Sequence, residues 1–318
     1  MKKWLLLCLL TLVLAGCTNE PKTESIDTGG GTVPIANEQG TPSPSAEGGG
    51  LTEPDTASSD ELEQEDDVLS EEELQQVASF GYADETGRLL LVEPDPTMEA
   101  VNPATITLAI GEGGQRLSVK HVGTQQRDDQ DNGRQTANNL KHRAGELFEV
   151  EDGEAVPNAT YLLLDGKALP QSAVLNVQPL TDQTAEQEKV QQIEAAKSRK
   201  VQQAWKLATI DEGQSLYLIQ FEREQDSMLA SLAIETNGQL MFMDYPATYD
   251  ENSTWRVDDG GEVTPDMFSV LLAARTAKGM VIGIEWWGSE GQIVKFLSQR
   301  AGQITELELS SGRYMSPI

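Results

Sequence analysis

Cysteine is almost missing from this chain. Of 318 residues only Cys8 and Cys17 are cysteines, and both fall within the first seventeen positions. Residues 18–318 therefore have no disulfide, no thiol nucleophile and no cysteine metal site. That part of the chain must hold its fold by packing alone. Histidine is nearly as scarce. His121 and His142 lie 21 positions apart, outside any His-x-x-x-His or His-Glu-x-x-His spacing, which argues against zinc. Positive charge is also in short supply, with 23 Lys and Arg against 52 Asp and Glu and a net charge of -29. Nucleic acid is bound by basic clusters that displace counterions, so this balance excludes a nucleic-acid function. Long apolar runs are absent beyond the first, Trp4 to Val13.

That single run follows Lys2 and Lys3 and ends in small residues, the layout of a secretory signal. A spanning helix needs about 20 apolar residues, and Thr18, Asn19 and Glu20 stop this one short. Its last four residues, Leu14-Ala15-Gly16-Cys17, resemble the lipobox of bacterial lipoproteins. The resemblance covers about seventeen residues and no family is identified for the rest of the chain. It implies a diacylglyceryl thioether on Cys17, cleavage just before it, and acylation (palmitate or similar) of the new amine. Two or three acyl chains anchor stably where one is reversible. Cys8 sits in the discarded apolar region and is there simply an apolar residue.

Beyond Cys17 the charge divides unevenly. Residues 1–17 carry +2, residues 18–73 carry -15 from sixteen acids against Lys22, and residues 74–318 carry -16. About half of the negative excess thus sits in a short stretch of Gly, Ser, Thr, Pro and acid, with no Lys or Arg between Leu51 and Gly87. Such a segment buries too little to offset chain entropy and is expected to be a disordered acidic tether. Its expected span is about 40–45 Å. An acidic motif for a basic partner or for calcium is the other reading of this stretch.

Order is expected to begin at Ser70-Glu71-Glu72-Glu73, a capping box opening a short helix through Val77. Short β-like runs follow: Leu89–Val92, Thr105–Ile110, Arg116–Val122, Glu146–Val150, Tyr161–Leu164 and Val174–Val177. Arg127 to Arg143 reads as a polar excursion. Thr184 to Lys206 is expected to be one long helix, with Thr184 and Gln187 as its capping box and an apolar stripe through Val190, Ile193, Val201 and Ala204. After it, strands are separated by Gly turns, of which Thr236-Asn237-Gly238 is the strongest hairpin signal. The connections are too short for parallel crossovers, so the strands form antiparallel meanders. The stretch from Leu232 to Tyr245 echoes that from Ala273 to Trp286, 41 positions later. A propeller would need further copies, and two hairpins of one sheet give the same echo.

The fold class expected is α+β and β-rich: antiparallel meander sheets with one long connecting helix (184–206) after a disordered tether. The divisions are a signal peptide (1–16), lipidated Cys17 and tether (17–72), an N-terminal β-rich subdomain (73–182), and a C-terminal helix with antiparallel β meander (183–318).

Chemical motifs are few. Gly288-Ser289-Glu290-Gly291 lacks the spacing of a nucleophile elbow and reads as a hairpin turn. Ile110-Gly111-Glu112-Gly113-Gly114 has no following helix to hold phosphate, and reads as a β-turn. Asp128 to Gly133 departs from a calcium loop at its third position, Gln130, and at the twelfth, Asn139. The most suggestive group is acid beside aromatic at equivalent places in the echo: Asp244-Tyr245 and Glu285-Trp286-Trp287, with Tyr249 and Trp255 nearby. Carboxylates beside aromatic faces suit sugars or amines, and paired carboxylates can hydrolyse glycosides. The plainer alternative puts the aromatics in the core and the acids in water.

The expectation is a lipid-anchored, extracytoplasmic envelope protein with a non-enzymatic binding role and no cofactor or metal. Its partners would be the membrane through Cys17 and a protein, wall polymer or small ligand. Thr18 rather than Asp after the lipobox cysteine, with the long acidic tether, leans toward a one-membrane cell. A membrane-anchored hydrolase of wall or sugar substrates is the second reading, and a structural or assembly accessory of the spore or envelope the third.

Overall fold

Short, turn-punctuated strands with few basic residues between them settle here into three antiparallel layers. The computed structural model describes residues 67–94, 101–211 and 213–316. The lipobox, Cys17 and the tether up to residue 66 lie outside the described residues. Six strands close a barrel in the order β1-β2-β5-β4-β3-β6. They are β1 (Ser79–Ala83), β2 (Leu89–Val92), β3 (Leu108–Gly111), β4 (Gln115–Gln125), β5 (Gly145–Val150) and β6 (Thr160–Leu164). Five more form a meander: β7 (Val177–Pro179), β8 (Val201–Ile210), β9 (Gln214–Phe221), β10 (Ser227–Thr236) and β11 (Gln239–Thr248). The last four, β12 (Phe268–Thr276), β13 (Gly279–Gly288), β14 (Gly291–Arg300) and β15 (Gln303–Tyr314), form a second meander. The barrel departs from the expected meander: β2 pairs with β5 and β3 with β6, so its strands interleave.

The four-stranded sheet is the middle layer, and its sequence shows it. A sheet covered on both sides reads as a continuous apolar run rather than an alternation. Met280 to Trp286 of β13 is buried throughout. Ile282, Ile284 and Trp286 pack with Leu216, Leu218 and Leu232 of the five-stranded sheet. Val281, Val294 and Phe296 meet Phe80, Leu108 and Leu162 of the barrel on the other side. Each such fully buried side chain contributes about 1.5–3 kcal/mol of transfer free energy. The barrel encloses its own core around Leu90, Leu117, Phe148 and Leu163.

Helix α1 (Glu71–Val77) forms at the expected place. Ser70 caps it, its hydroxyl accepting from the Glu73 N–H at 3.3 Å. Packing against the body already involves residues before the helix: Leu69 is buried, its N–H donates to the Arg275 carbonyl at 2.8 Å, and it bridges Thr276 of the middle sheet. Glu71 accepts from Ser298 and pairs with Arg300. A strap of chain before the barrel is thus fastened to the sheet made last.

The long helix over 184–206 is not formed. Helix α2 covers only Gln187–Lys197, and Val201–Ile210 is strand β8. The helix stops at Ser198, which takes a left-handed φ of 52° and reverses the chain without a glycine. Tertiary pairing overrides helix propensity beyond it: Gln203 to Ile210 ladders with β9, from Gln220 back to Gln214, rather than bonding with itself. Thr184 is not a cap either. It bridges Trp205, and Glu186 occupies the N-cap with no side-chain bond.

The internal echo turns out to be two hairpins in different sheets. β10–β11 belongs to the five-stranded sheet and β12–β13 to the four-stranded one, which rules out both a propeller blade pair and two hairpins of one sheet. The equivalent positions Tyr245 and Trp286 meet face to edge across the sandwich, ring centroids 5.1 Å apart.

Candidate functional site

All three layers converge on one cleft of about 260 Å³. The barrel contributes the β3–β4 turn, the five-stranded sheet its β7–β8 side, and the middle sheet the start of β12 and the end of β13. Junctions between layers are where ligand sites most often form, and this volume falls just below the usual range of about 300–1,000 Å³, which suits a small ligand.

The barrel turn is Gly111-Glu112-Gly113-Gly114. Glu112 and Gly113 take φ of 50° and 76°. Two consecutive left-handed residues are what a tight primed hairpin needs, but the first is a glutamate, which tolerates that region poorly. The turn is held from outside: the Gly113 N–H donates to the Leu271 carbonyl at 3.0 Å. Leu271 is the extra residue of a bulge in β12, between Val270 and Leu272. A bulge exposes a carbonyl that the ladder no longer uses, and here it accepts from the barrel. The Glu112 carboxylate, brought into the cleft lining, has no hydrogen bond or ion pair among the described residues. Although the residue is exposed, the surrounding protein raises its pKa above the usual carboxylate range.

Glu285 faces it from β13. Only 6% exposed, it accepts from the Ser269 hydroxyl at 2.6 Å and from the Gln292 amide at 2.5 Å. Burial pushes its carboxyl up; the two donors pull against that, Glu112 adds to the rise and Arg313 opposes it. Gln292 continues inward, its oxygen accepting from Thr160 at 2.7 Å. Arg313 donates to the same Thr160 hydroxyl, to the Asn158 carbonyl at 2.6 Å and to the Gln135 carbonyl at 2.6 Å. Its guanidinium also lies 4.5 Å over the Tyr82 ring. Burial lowers the Arg313 pKa to about 10, against the pull of Tyr82, Glu285 and Glu93. A chain of hydrogen bonds therefore ties the cleft to the barrel wall.

The sequence-predicted residues divide by the two-residue period of a strand. Glu285 and Trp287 share a face and both line the cleft, with Trp287 half-buried. Trp286 points the other way, into the sandwich, its ring centroid 4.9 Å from that of Phe268 and 5.1 Å from that of Tyr245; its indole N–H is buried without a partner among the described residues. Tyr245 lies in that same core, and burial raises its pKa strongly. Asp244 sits on the opposite face of β11, bonded to Lys197 at 2.6 Å and to Ser231 at 2.7 Å. Asp244 and Tyr245 are therefore apart from the cleft. Trp255 joins the sandwich core, its indole donating to the Tyr245 carbonyl at 2.9 Å.

Ser269 carries no mark in the sequence, and Glu112 lies in a segment that the sequence marks only as a β-turn. The only signal for Glu112 is a non-glycine within a Gly-x-Gly-Gly turn. The Asp128–Gly133 segment does not gather toward a cation. Asp128 bonds His142 and the Gln130 N–H, and Asp131 is spent on Asn139, Gly133, Arg127 and Arg143. No group of three His, Cys, Asp or Glu suited to a metal occurs among the described residues.

A larger groove of about 590 Å³ runs between the barrel, the excursion before β5, and β15. Its acids are already engaged: Glu93 by Arg143 and Gln135, and Glu146 by His121 at 2.6 Å. The smaller cleft keeps uncommitted charge beside aromatic surface, and it is the better candidate. No protein-family model, curated protein or solved structure matches this chain, so the cleft is interpreted from its own chemistry.

Proposed function

We propose that this protein is a lipid-anchored envelope protein whose globular body binds a small ligand in the three-layer cleft. The observation that carries the reading is the pairing of an uncommitted carboxylate, Glu112, with buried Glu285 and the Trp287 ring around one cavity. A rigid scaffold supports them, since the turn, the bulge and the Glu285–Gln292–Thr160 chain fix three of its walls. Among the described residues the cleft is lined by two carboxylates and by no histidine, cysteine or lysine. The anchor reading rests on the lipobox resemblance at Cys17, and the acidic stretch that precedes the fastened residues Leu69 and Glu71 would give the body its reach. An extracytoplasmic face of a one-membrane cell suits that arrangement.

Two experiments test the two halves. Titrating the full chain with monosaccharides, soluble wall fragments and small amines should change tryptophan emission for at least one ligand. Trp287→Phe should remove that change. A change that persists in Trp287→Phe places binding elsewhere, and no change across the panel refutes the reading. Membrane fractionation should release Cys17→Ser into the soluble fraction, and unchanged membrane association would refute the anchor.

A further inference from the structure

We infer that the cleft recognises an ammonium group carried on a short apolar or aromatic arm. This deepens the reading of the cleft as the recognition site and rests on it. Three features of the cleft converge on that ligand class. The first is charge without compensation. No Lys, Arg or His lines the cavity, while Glu112 has no partner of any kind among the described residues. Arg313, tied to Glu285 only through Thr160 and Gln292, has both terminal guanidinium nitrogens committed to Thr160, Asn158 and Gln135 on the barrel side. One arginine behind the wall offsets at most one of the two carboxylates.

The second is the pattern of donors and acceptors. Each Glu285 oxygen already accepts one hydrogen bond, from Ser269 or from Gln292, and a carboxylate oxygen can accept two. The remaining lone pairs, with all those of Glu112, are acceptors. An ammonium offers three donors and no acceptor, which matches such a set. A carboxylate or phosphate ligand would add like charge, and a neutral sugar would find few donors for its oxygens.

The third is the rest of the wall. Trp287 and Phe268 present ring surface beside the acids, and Leu180 and Leu207 supply aliphatic surface. A cation next to an aromatic face gains further attraction, and an apolar arm would be buried against the leucines. The net charge of -29 also enriches cations around the protein before any contact is made.

The test is calorimetric titration of the full chain with phenethylamine, 2-phenylethanol and phenylacetate, which share one arm and differ in charge. The amine should bind about tenfold more tightly than the alcohol, the worth of one charge-assisted hydrogen bond, and phenylacetate should not bind. Glu112→Gln should abolish that preference while leaving the weak binding of the alcohol. Glu112 stands on an exposed turn, so this variant tests the charge without disturbing the packed core. Equal affinity for amine and alcohol, a preference that survives Glu112→Gln, or no heat with the amine would each overturn the proposal. Equal affinity abolished by Trp287→Phe would overturn it while leaving the cleft as a binding site.

Discussion

Asp259 should be the most damaging single site in the loop that joins β11 to β12. It is 8% exposed, and its two oxygens accept from four backbone N–H groups. One oxygen takes Thr254 at 2.9 Å and Gly261 at 3.0 Å; the other takes Trp255 at 2.6 Å and Arg256 at 2.7 Å. Asp259→Asn keeps the shape and loses the second oxygen. Its amide would then face two N–H donors, so two charge-assisted bonds are lost. At about 1.5–3 kcal/mol each, less what water recovers as the loop opens, the net cost is about 2–4 kcal/mol. For a body of this size that is a fall in Tm of roughly 5–15 °C. Thermal and urea unfolding would measure it, and hydrogen exchange at Trp255 and Arg256 would place it. The pH dependence has a definite sign. Burial raises the Asp259 carboxyl, but the four N–H groups outweigh it and hold the pKa below the usual carboxylate range. A depressed pKa gives stability that is present above the unfolded value and lost as pH falls through the folded one. The gap between the two proteins should therefore narrow on acidification. An Asn variant within about 0.5 kcal/mol of the parent at neutral pH would refute the reasoning, since that is the ordinary effect of a surface change.

Three further outcomes follow from the same structure. Arg313→Leu should cost about 3–5 kcal/mol, because it strands the Asn158 and Gln135 carbonyls and removes the cation from above Tyr82; denaturant midpoints would show it, and an unchanged midpoint would remove Arg313 from the framework. Glu285→Gln should be as stable as the parent or more so at neutral pH. The raised carboxyl of Glu285 favours the fold below its unfolded pKa and loses that contribution as pH rises through the folded value. A variant that is less stable at neutral pH than the parent contradicts this sign. Leu69→Ala should cost about 2–5 kcal/mol as a buried leucine truncation, and limited proteolysis should then cut near residue 70 first.

Much of the fold could be read from local pattern. The Asn237-Gly238 turn, the Gly-punctuated strands after residue 214 and the Ser70 cap all carry their information within a few residues, and they appear where expected. Val201–Ala204, the start of β8, did not, although Trp205–Ile210 of the same strand reads as β. Gln, Ala and Lys favour helix there, no glycine or proline marks the break at Ser198, and only pairing with β9 decides the outcome. Ser79–Ala83 was missed because five residues containing a glycine make a weak strand signal, although both neighbouring strands of the barrel need it. The interleaved barrel order depends on pairings far apart in sequence. At the site, acid beside aromatic located Glu285 and Trp287, but adjacency in a strand sends neighbours to opposite faces, which removed Asp244 and sent Tyr245 and Trp286 to the core. Glu112 reaches the cleft only through a bulge carbonyl 159 positions away, that of Leu271, which no local pattern encodes.

The fastening of the early chain by the late chain has a consequence for how the protein comes to be folded. Leu69 and Glu71 take their partners from Arg275, Ser298 and Arg300, and the barrel residues Asn158 and Thr160 take theirs from Arg313. The barrel is synthesised first, yet its outer face and its strap are satisfied only by strands that leave the ribosome last. Such long-range closure makes folding slow and leaves partial chains loose. For the export proposed above, that order means the strap at Leu69 and Glu71 and the Arg313 contacts form only after the second half of the chain has followed the first.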